Sequence, residues 1–139
     1  GRTAKQLYSG KADYEGIALA KKAVKIPIIA NGDIDAHNAS AILQSTKADA
    51  LMIGRASVGK PWLFYELKSG KGVSNALKKE IILYHYESML GHYGKMGVPL
   101  FRKHLHAYAK GIDGATKFRE FINHTDESST MQKAIEEFF

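Results

Sequence analysis

Apolar and polar positions follow two rhythms up to about residue 68 and only one after it. Asp13 is placed to cap a helix running to about Lys25, with Ile17, Ala20 and Val24 on one face. Ile26-Pro27-Ile28-Ile29-Ala30 is a short continuous apolar run that ends at Asn31-Gly32-Asp33. Such a run predicts a strand buried on both faces, as in a parallel sheet, and Pro27 stands at its start, where a missing N–H matters least. Asp35 can cap a second helix, about Ala36 to Ser45. A second apolar run, Ala50-Leu51-Met52-Ile53, ends at Gly54-Arg55, and a helix from Pro61 to Lys68 follows. Helix, strand, helix, strand, helix is the order of an α/β protein with parallel strands.

Ser69-Gly70-Lys71-Gly72-Val73-Ser74-Asn75 breaks the pattern. Beyond it no strand signal remains. Ser74 can cap a long helix to about His92 that carries Leu77, Ile81, Ile82, Tyr84, His85, Met89 and Leu90 at helical spacing. Gly94 and Gly97 interrupt it, Pro99 opens a helix over about 99–110, and Gly111 stops that one. Thr116–His124 and Thr130–Phe139 read as two more helices. The pattern divides the chain into an α/β segment, residues 1–72, and a small all-α bundle, residues 73–139. A bundle of about 65 residues is near the lower limit for folding alone. Two parallel strands cannot cover both faces and both edges, so the first segment looks like a piece of a larger sheet.

Composition is globular, with 45% apolar and 24% charged residues. The absence of cysteine excludes disulfides, thiolate metal sites and a cysteine nucleophile within the chain. No apolar run approaches the ~20 residues of a membrane-spanning helix, so a membrane role is not expected. The formal charge of +6 is unevenly spread. Residues 1–72 are net +5, residues 95–119 are net +5 with Asp113 as their one acid, and the last twenty residues are net −4. Two basic regions and an acidic tail suit a polyanion such as nucleic acid, although charge alone favours the plainer reading of a solvated lysine-rich surface.

The strand ends carry the strongest chemical signal. Asn31-Gly32-Asp33 and Gly54-Arg55 would lie at the carboxyl ends of adjacent parallel strands, where α/β sheets build ligand sites. Glycine there lets an anion approach backbone N–H groups, and Arg55 adds a permanent forked donor suited to phosphate. The plain alternative is a pair of turn glycines, with Asp33 capping a helix or bracing a loop. Arg102, Lys103, His106 and Lys110 share or flank one face of the helix after Pro99, with Tyr108 nearby and Arg119 on the next helix. Basic side chains so spaced can track phosphates and an aromatic can stack on a base, although an ordinary exposed face has the same pattern. The histidines form no metal set, since His104 and His106 point apart and His85 and His92 are a heptad apart. Tyr84, Tyr86, Tyr93 and Trp62 read as packing groups.

Several segments resemble the tRNA-dihydrouridine synthases in order and spacing. They are Gly-Arg-Thr-Ala-Lys-Gln-Leu-Tyr-Ser-Gly-Lys-Ala-Asp-Tyr (1–14), Ile-Pro-Ile-Ile-Ala-Asn-Gly-Asp-Ile (26–34) and Ala-Leu-Met-Ile-Gly-Arg-Ala-Ser-Val-Gly-Lys-Pro-Trp-Leu-Phe (50–64). Phe-Arg-Lys-His-Leu-His-Ala-Tyr-Ala-Lys-Gly (101–111) and Phe-Arg-Glu-Phe-Ile-Asn (118–123) resemble that family's helical domain. The resemblance implies the C-terminal portion of an FMN-binding TIM (β/α)8 barrel followed by a helical tRNA-binding domain. In such enzymes NADPH reduces FMN, the flavin passes hydride to C6 of a flipped-out uracil, and a cysteine protonates C5. Asn31, Gly32 and Asp33 would follow the seventh strand and Gly54 and Arg55 the eighth, holding the FMN phosphate. Arg2 and Thr3 would lie near the flavin and the tRNA, and Arg102, Lys103, Lys110 and Arg119 would grip tRNA backbone. The family motif reads His-Gly-Arg-Thr, so the resemblance places the flavin-contacting histidine before Gly1. The catalytic cysteine, the flavin-site lysine and the remaining barrel strands would lie further upstream. It also implies a cytoplasmic enzyme, a fragment inactive by itself, and barrel edges covered by the upstream chain, by oligomerisation or by strand exchange. Two other functions fit parts of the pattern: a stand-alone RNA-binding helical module, and a phosphate-binding flavin barrel acting on a small molecule.

Overall fold

The computed structural model describes residues 12–139. The chain folds as two compact units, Gly1–Ser57 and Val58–Phe139. The division precedes the glycine-rich break at 69–75, because Trp62 packs on the core of the helical unit.

In the first unit, α1 (Tyr14–Ala23) is capped by Asp13, whose carboxylate accepts from the Gly16 N–H at 2.8 Å. It ends short of Lys25, because Val24 is already extended. β1 (Ile29–Asn31) and β2 (Ala50–Met52) pair in parallel, Ile29 against Ala50, Ala30 against Leu51 and Asn31 against Met52. Asp49 fixes where β1 begins. Its carboxylate accepts from the Ile28 N–H at 2.7 Å and from Lys21 of α1 at 2.7 Å, and those bonds, Lys21 first, hold its carboxyl below the usual range. Between the strands runs α2 (Ala39–Thr46). The Asp35 carboxylate takes the His37 and Asn38 N–H groups, closing a turn that delays this helix to Ala39.

Ala30, Ile34, Ala39, Ile42 and Ala48 form a small core, with Tyr14, Ile17, Ile28, Leu51 and Ile53 packed beside it. The expectation of strands buried on both faces is corrected. Ala30 is fully buried, whereas Ile29 and Met52 are 61% and 60% exposed. Among the described residues of this unit, helices cover one side of the sheet and nothing covers the other.

The second unit is helical: α3 (Leu63–Ser69), α4 (Asn75–Tyr93), α5 (Gly97–Tyr108), α6 (Ala115–Asn123) and α7 (Ser128–Phe138). Ser74 caps α4 by accepting from the Leu77 N–H at 3.2 Å. Pro99 sits in the first turn of α5, where its missing N–H costs no helical bond. Val98, Phe101, Leu105 and Tyr108 repeat at three and four residues along α5 and meet Ile82 and Tyr86, Phe118 and Ile122, and Met131 and Ile135 from α4, α6 and α7. Tyr86 is fully buried and its hydroxyl donates to the Ser128 carbonyl at 3.1 Å. Burial, with the Glu127 carboxylate adding to it, pushes this phenol up to about 12. Tyr86 and Trp62 are packing groups as expected. Tyr84 and Tyr93 are not: they are 73% and 48% exposed, on turns of α4 that face away from the core. Among the described residues no helix is long and apolar enough to cross a membrane.

Candidate functional site

Parallel pairing in this register brings the two strand-end segments side by side. The Asn31 side-chain amide donates to the Met52 carbonyl at 3.0 Å and so ties them together. Gly32 and Asp33 both turn into the left-handed region, with φ of +127° and +50°. A β-carbon on Gly32 would lie 2.8 Å from that of Ala12, so residue size and backbone together demand glycine. The Gly32 carbonyl accepts from the Tyr14 hydroxyl at 2.7 Å, and the Asp33 carbonyl accepts from Asn38 at 2.8 Å. The loop is therefore anchored to α1 and to the entry of α2.

Across from it, Gly54 opens a short 3-10 turn, Arg55–Ser57, in which the Ser57 N–H and hydroxyl both donate back to the Gly54 carbonyl. A β-carbon on Gly54 would meet nothing within 4 Å, so its backbone borders open space. The Arg55 guanidinium donates to the Asp33 carboxylate at 2.5 Å while keeping 67% of its side chain exposed. An exposed pair like this adds at most about 1 kcal/mol to stability; its effect is to aim the guanidinium.

The basic face of α5 divides by structure. Arg102 is three-quarters covered and donates to the Thr125 carbonyl at 3.1 Å and to Asp126 at 2.5 Å. Arg119 donates to the His106 carbonyl at 3.2 Å, and the His106 ring is 2.9 Å from the Asn123 side-chain oxygen. The Nε atoms of both arginines are buried with no protein partner. These two arginines brace α5 against α6 and the turn after it. Lys103 and Lys110 are exposed.

Residues 1–139 match the family model described as dihydrouridine synthase (Dus). The chain belongs to the dihydrouridine synthase family. It is 48% identical over 142 residues to a probable tRNA-dihydrouridine synthase of Helicobacter pylori, a match that covers all of this chain and 43% of that protein. It is 42% identical over 148 residues to a probable tRNA-dihydrouridine synthase of Rickettsia typhi, covering all of this chain and 45% of that protein. It is 40% identical over 148 residues to tRNA-dihydrouridine synthase B of Pseudomonas syringae pv. tomato, covering all of this chain and 44% of that protein. The chain thus spans less than half the length of the curated relatives it matches.

Within this family member the structure brings Asn31, Gly32, Asp33, Gly54 and Arg55 to one end of the strand pair. Arg2 and Thr3 lie outside the described residues. Among the described residues no group of three or more His, Cys, Asp or Glu is placed to hold a metal ion. Two arrangements escape the sequence pattern. His85 of α4 and His104 of α5 face each other with ring centres 4.8 Å apart, and the His85 Nδ1 is 3.0 Å from the Tyr108 hydroxyl. Burial pushes both imidazoles below their usual range, and for His104 the charges of His85 and Lys103 add to it. Lys60 and Lys78 also come together beside Trp62, although 18 positions separate them in sequence.

Proposed function

We propose that this chain is the C-terminal part of a tRNA-dihydrouridine synthase, an FMN-dependent, NADPH-driven enzyme that reduces uridine in tRNA to 5,6-dihydrouridine. The observation that carries the reading is the strand-end cup. Gly54 and Arg55 stand beside Asn31-Gly32-Asp33 in a chain that matches the family from end to end. The residues fit the phosphate of FMN: open space at Gly54, and an exposed guanidinium held in place from behind. Asp33, being anionic, suits the Arg55 guanidinium or a ligand hydroxyl better than the phosphate. When bound, FMN supplies the hydride that reduces the uracil ring. The residues of this chain bind and orient: Gly32 lets the loop turn, Asn31 locks the two segments together, and Arg55 neutralises the phosphate.

In this reading β1 and β2 are the seventh and eighth strands of a TIM barrel. The uncovered apolar side with Ile29 and Met52 supports it, since barrel strands have neighbours on both edges and packing on both faces. The helical unit takes the tRNA, with Lys103 and Lys110 on backbone phosphates, while Arg102 and Arg119 shape the surface that carries them. A cytoplasmic location follows from the tRNA substrate. The 139-residue chain holds no cysteine to act as proton donor and is expected to be inactive by itself. A separate helical core gives one observation in favour of a second reading, an RNA-binding module that acts without the α/β segment.

Arg55→Ala in the full-length enzyme tests the cup. Loss of a charge-assisted phosphate contact costs about 1.5–3 kcal/mol, which weakens FMN binding roughly 10- to 100-fold. A flavin dissociation constant equal to that of the unaltered enzyme rejects the phosphate role.

A further inference from the structure

One cavity of the helical unit is lined by none of the strand-end cup residues and by neither of the arginines that brace α5 against α6. It is an open hollow of about 470 Å³ between the segment leading into α3, the first turns of α4 and the ends of α5 and α7. That volume is within the roughly 300–1,000 Å³ of small-ligand sites. Its walls are aromatic. Trp62 and Tyr108 stack with ring centres 6.1 Å apart, and Phe139 meets Tyr108 edge-on at 6.4 Å. Its rim is cationic. Lys60 comes from the segment before α3, Lys78 from α4 and Lys110 from the turn after α5, and the Lys78 ammonium lies 5.6 Å from the centre of the Trp62 ring.

Among the described residues none of these three lysines forms an ion pair. The one acid in the lining, Glu66, is turned toward the Val73 N–H, which donates to it at 3.2 Å. Asn75 adds an amide that can both donate and accept at an edge. A flat apolar wall for a ring, an amide for the ring's edge and a fork of ammonium groups for a phosphate describe one ligand chemistry, a nucleoside phosphate.

We propose that this hollow is a nucleotide-binding subsite that seats one unpaired nucleotide of an RNA strand, its base against Trp62 and its phosphate between Lys60, Lys78 and Lys110. The proposal rests on the reading that the protein acts on tRNA, and it adds a second point of attachment that shares no residue with the flavin cup. Charge favours a strand over a free nucleotide. Three ammonium groups around one hollow carry more positive charge than a single phosphate diester neutralises, and the exposed Lys103 of α5, seven positions before Lys110, supplies a further cation for a neighbouring phosphate.

Trp62 is the only tryptophan, so the site carries its own reporter. The 139-residue chain is titrated with a uridine hexanucleotide, with unmodified tRNA, and with uridine monophosphate and NADPH as free nucleotides, while Trp62 emission is followed. Expected are saturable quenching by the hexanucleotide, competition by tRNA, and affinity reduced by roughly tenfold in the Lys60→Ala/Lys78→Ala variant at low salt. A thermal melt shows whether that variant folds as the parent does. Lys60→Ala alone, at an exposed position, serves as the second variant and should give a smaller loss in the same direction.

Quenching by the free nucleotides with no competition from RNA overturns the RNA assignment. Unchanged affinity in both lysine variants overturns the subsite. If tRNA shifts the chain in a mobility assay while Trp62 emission stays constant, the subsite falls and the tRNA reading stands. Absence of tRNA binding to the full-length enzyme in both assays defeats the two together.

Discussion

Gly59 allows a direct measurement of how tightly the segment before Trp62 is seated on α5. Its φ is +77°, and a β-carbon there would lie 2.5 Å from the carbonyl carbon and oxygen of Ala107 and 3.0 Å from the Ala107 β-carbon. Gly70 has nearly the same backbone, φ +68°, yet its β-carbon would meet nothing within 4 Å. Alanine at Gly70 therefore incurs only the left-handed conformation, about 1–2 kcal/mol. Alanine at Gly59 incurs that and also overpacking against a helix backbone, about 1–3 kcal/mol more. Each kcal/mol lowers the melting temperature of a domain this size by roughly 4–8 °C, so the two variants should differ by about 5–20 °C. Urea titration followed by Trp62 emission reports on the right unit, since the ring packs on the helical core. The closest atoms belong to the Ala107 backbone, so adding Ala107→Gly should recover little of the loss. Equal destabilisation at Gly59 and Gly70 would refute the close approach.

Arg102→Ala should destabilise the helical unit by about 1–3 kcal/mol, because it strands the Thr125 carbonyl and the Asp126 partner, whereas Lys103→Ala should stay within about 0.5 kcal/mol. Lys103→Ala should instead weaken tRNA binding and flatten its dependence on salt; an unchanged salt slope rejects a phosphate contact there. His85 and His104 have folded pKa values depressed by burial, so the unfolded chain binds protons more readily. Their contribution is complete above the unfolded value near 6.5 and is lost as pH falls below it. The melting temperature should drop between about pH 7.5 and about pH 5.5, and less so in His104→Gln; a flat profile in the parent chain counts against the pairing. The purified 139-residue chain should show no uridine reduction in a dihydrouridine assay, and measurable turnover would show that the proton donor is within it.

Local chemistry was legible where one residue decides it. Asp13 and Ser74 cap α1 and α4 as their positions predict, and β1 stops just before Gly32 while β2 stops two residues before Gly54. The side-by-side placement of the two strand ends was legible as well, because parallel strands leave their carboxyl ends on the same side. The two-sided burial of β1 was not, because burial depends on neighbours that an apolar run only implies. The roles of the basic side chains on α5 were hidden for a different reason. Helical spacing places Arg102 and Lys103 next to each other, but only the docked turn at Thr125–Asp126 makes one a brace and leaves the other exposed. Pairings across elements, His85 with His104 and Lys60 with Lys78 at Trp62, have no signature in linear spacing at all.

The ion pairs of this chain also decide how it is felt at a distance. Arg55, Arg102 and Lys21 each sit against a carboxylate, and a closed pair is a dipole whose field fades within a few ångströms of its surface. The long-range potential therefore comes from exposed lysines such as Lys60, Lys103 and Lys110, at the far ends of flexible stems. Screening at physiological ionic strength, about 8 Å, leaves those charges to govern how fast a polyanion is captured. Speed of encounter and integrity of the fold are thus assigned to different side chains. The first can be tuned by single lysine substitutions while the second stays as it is.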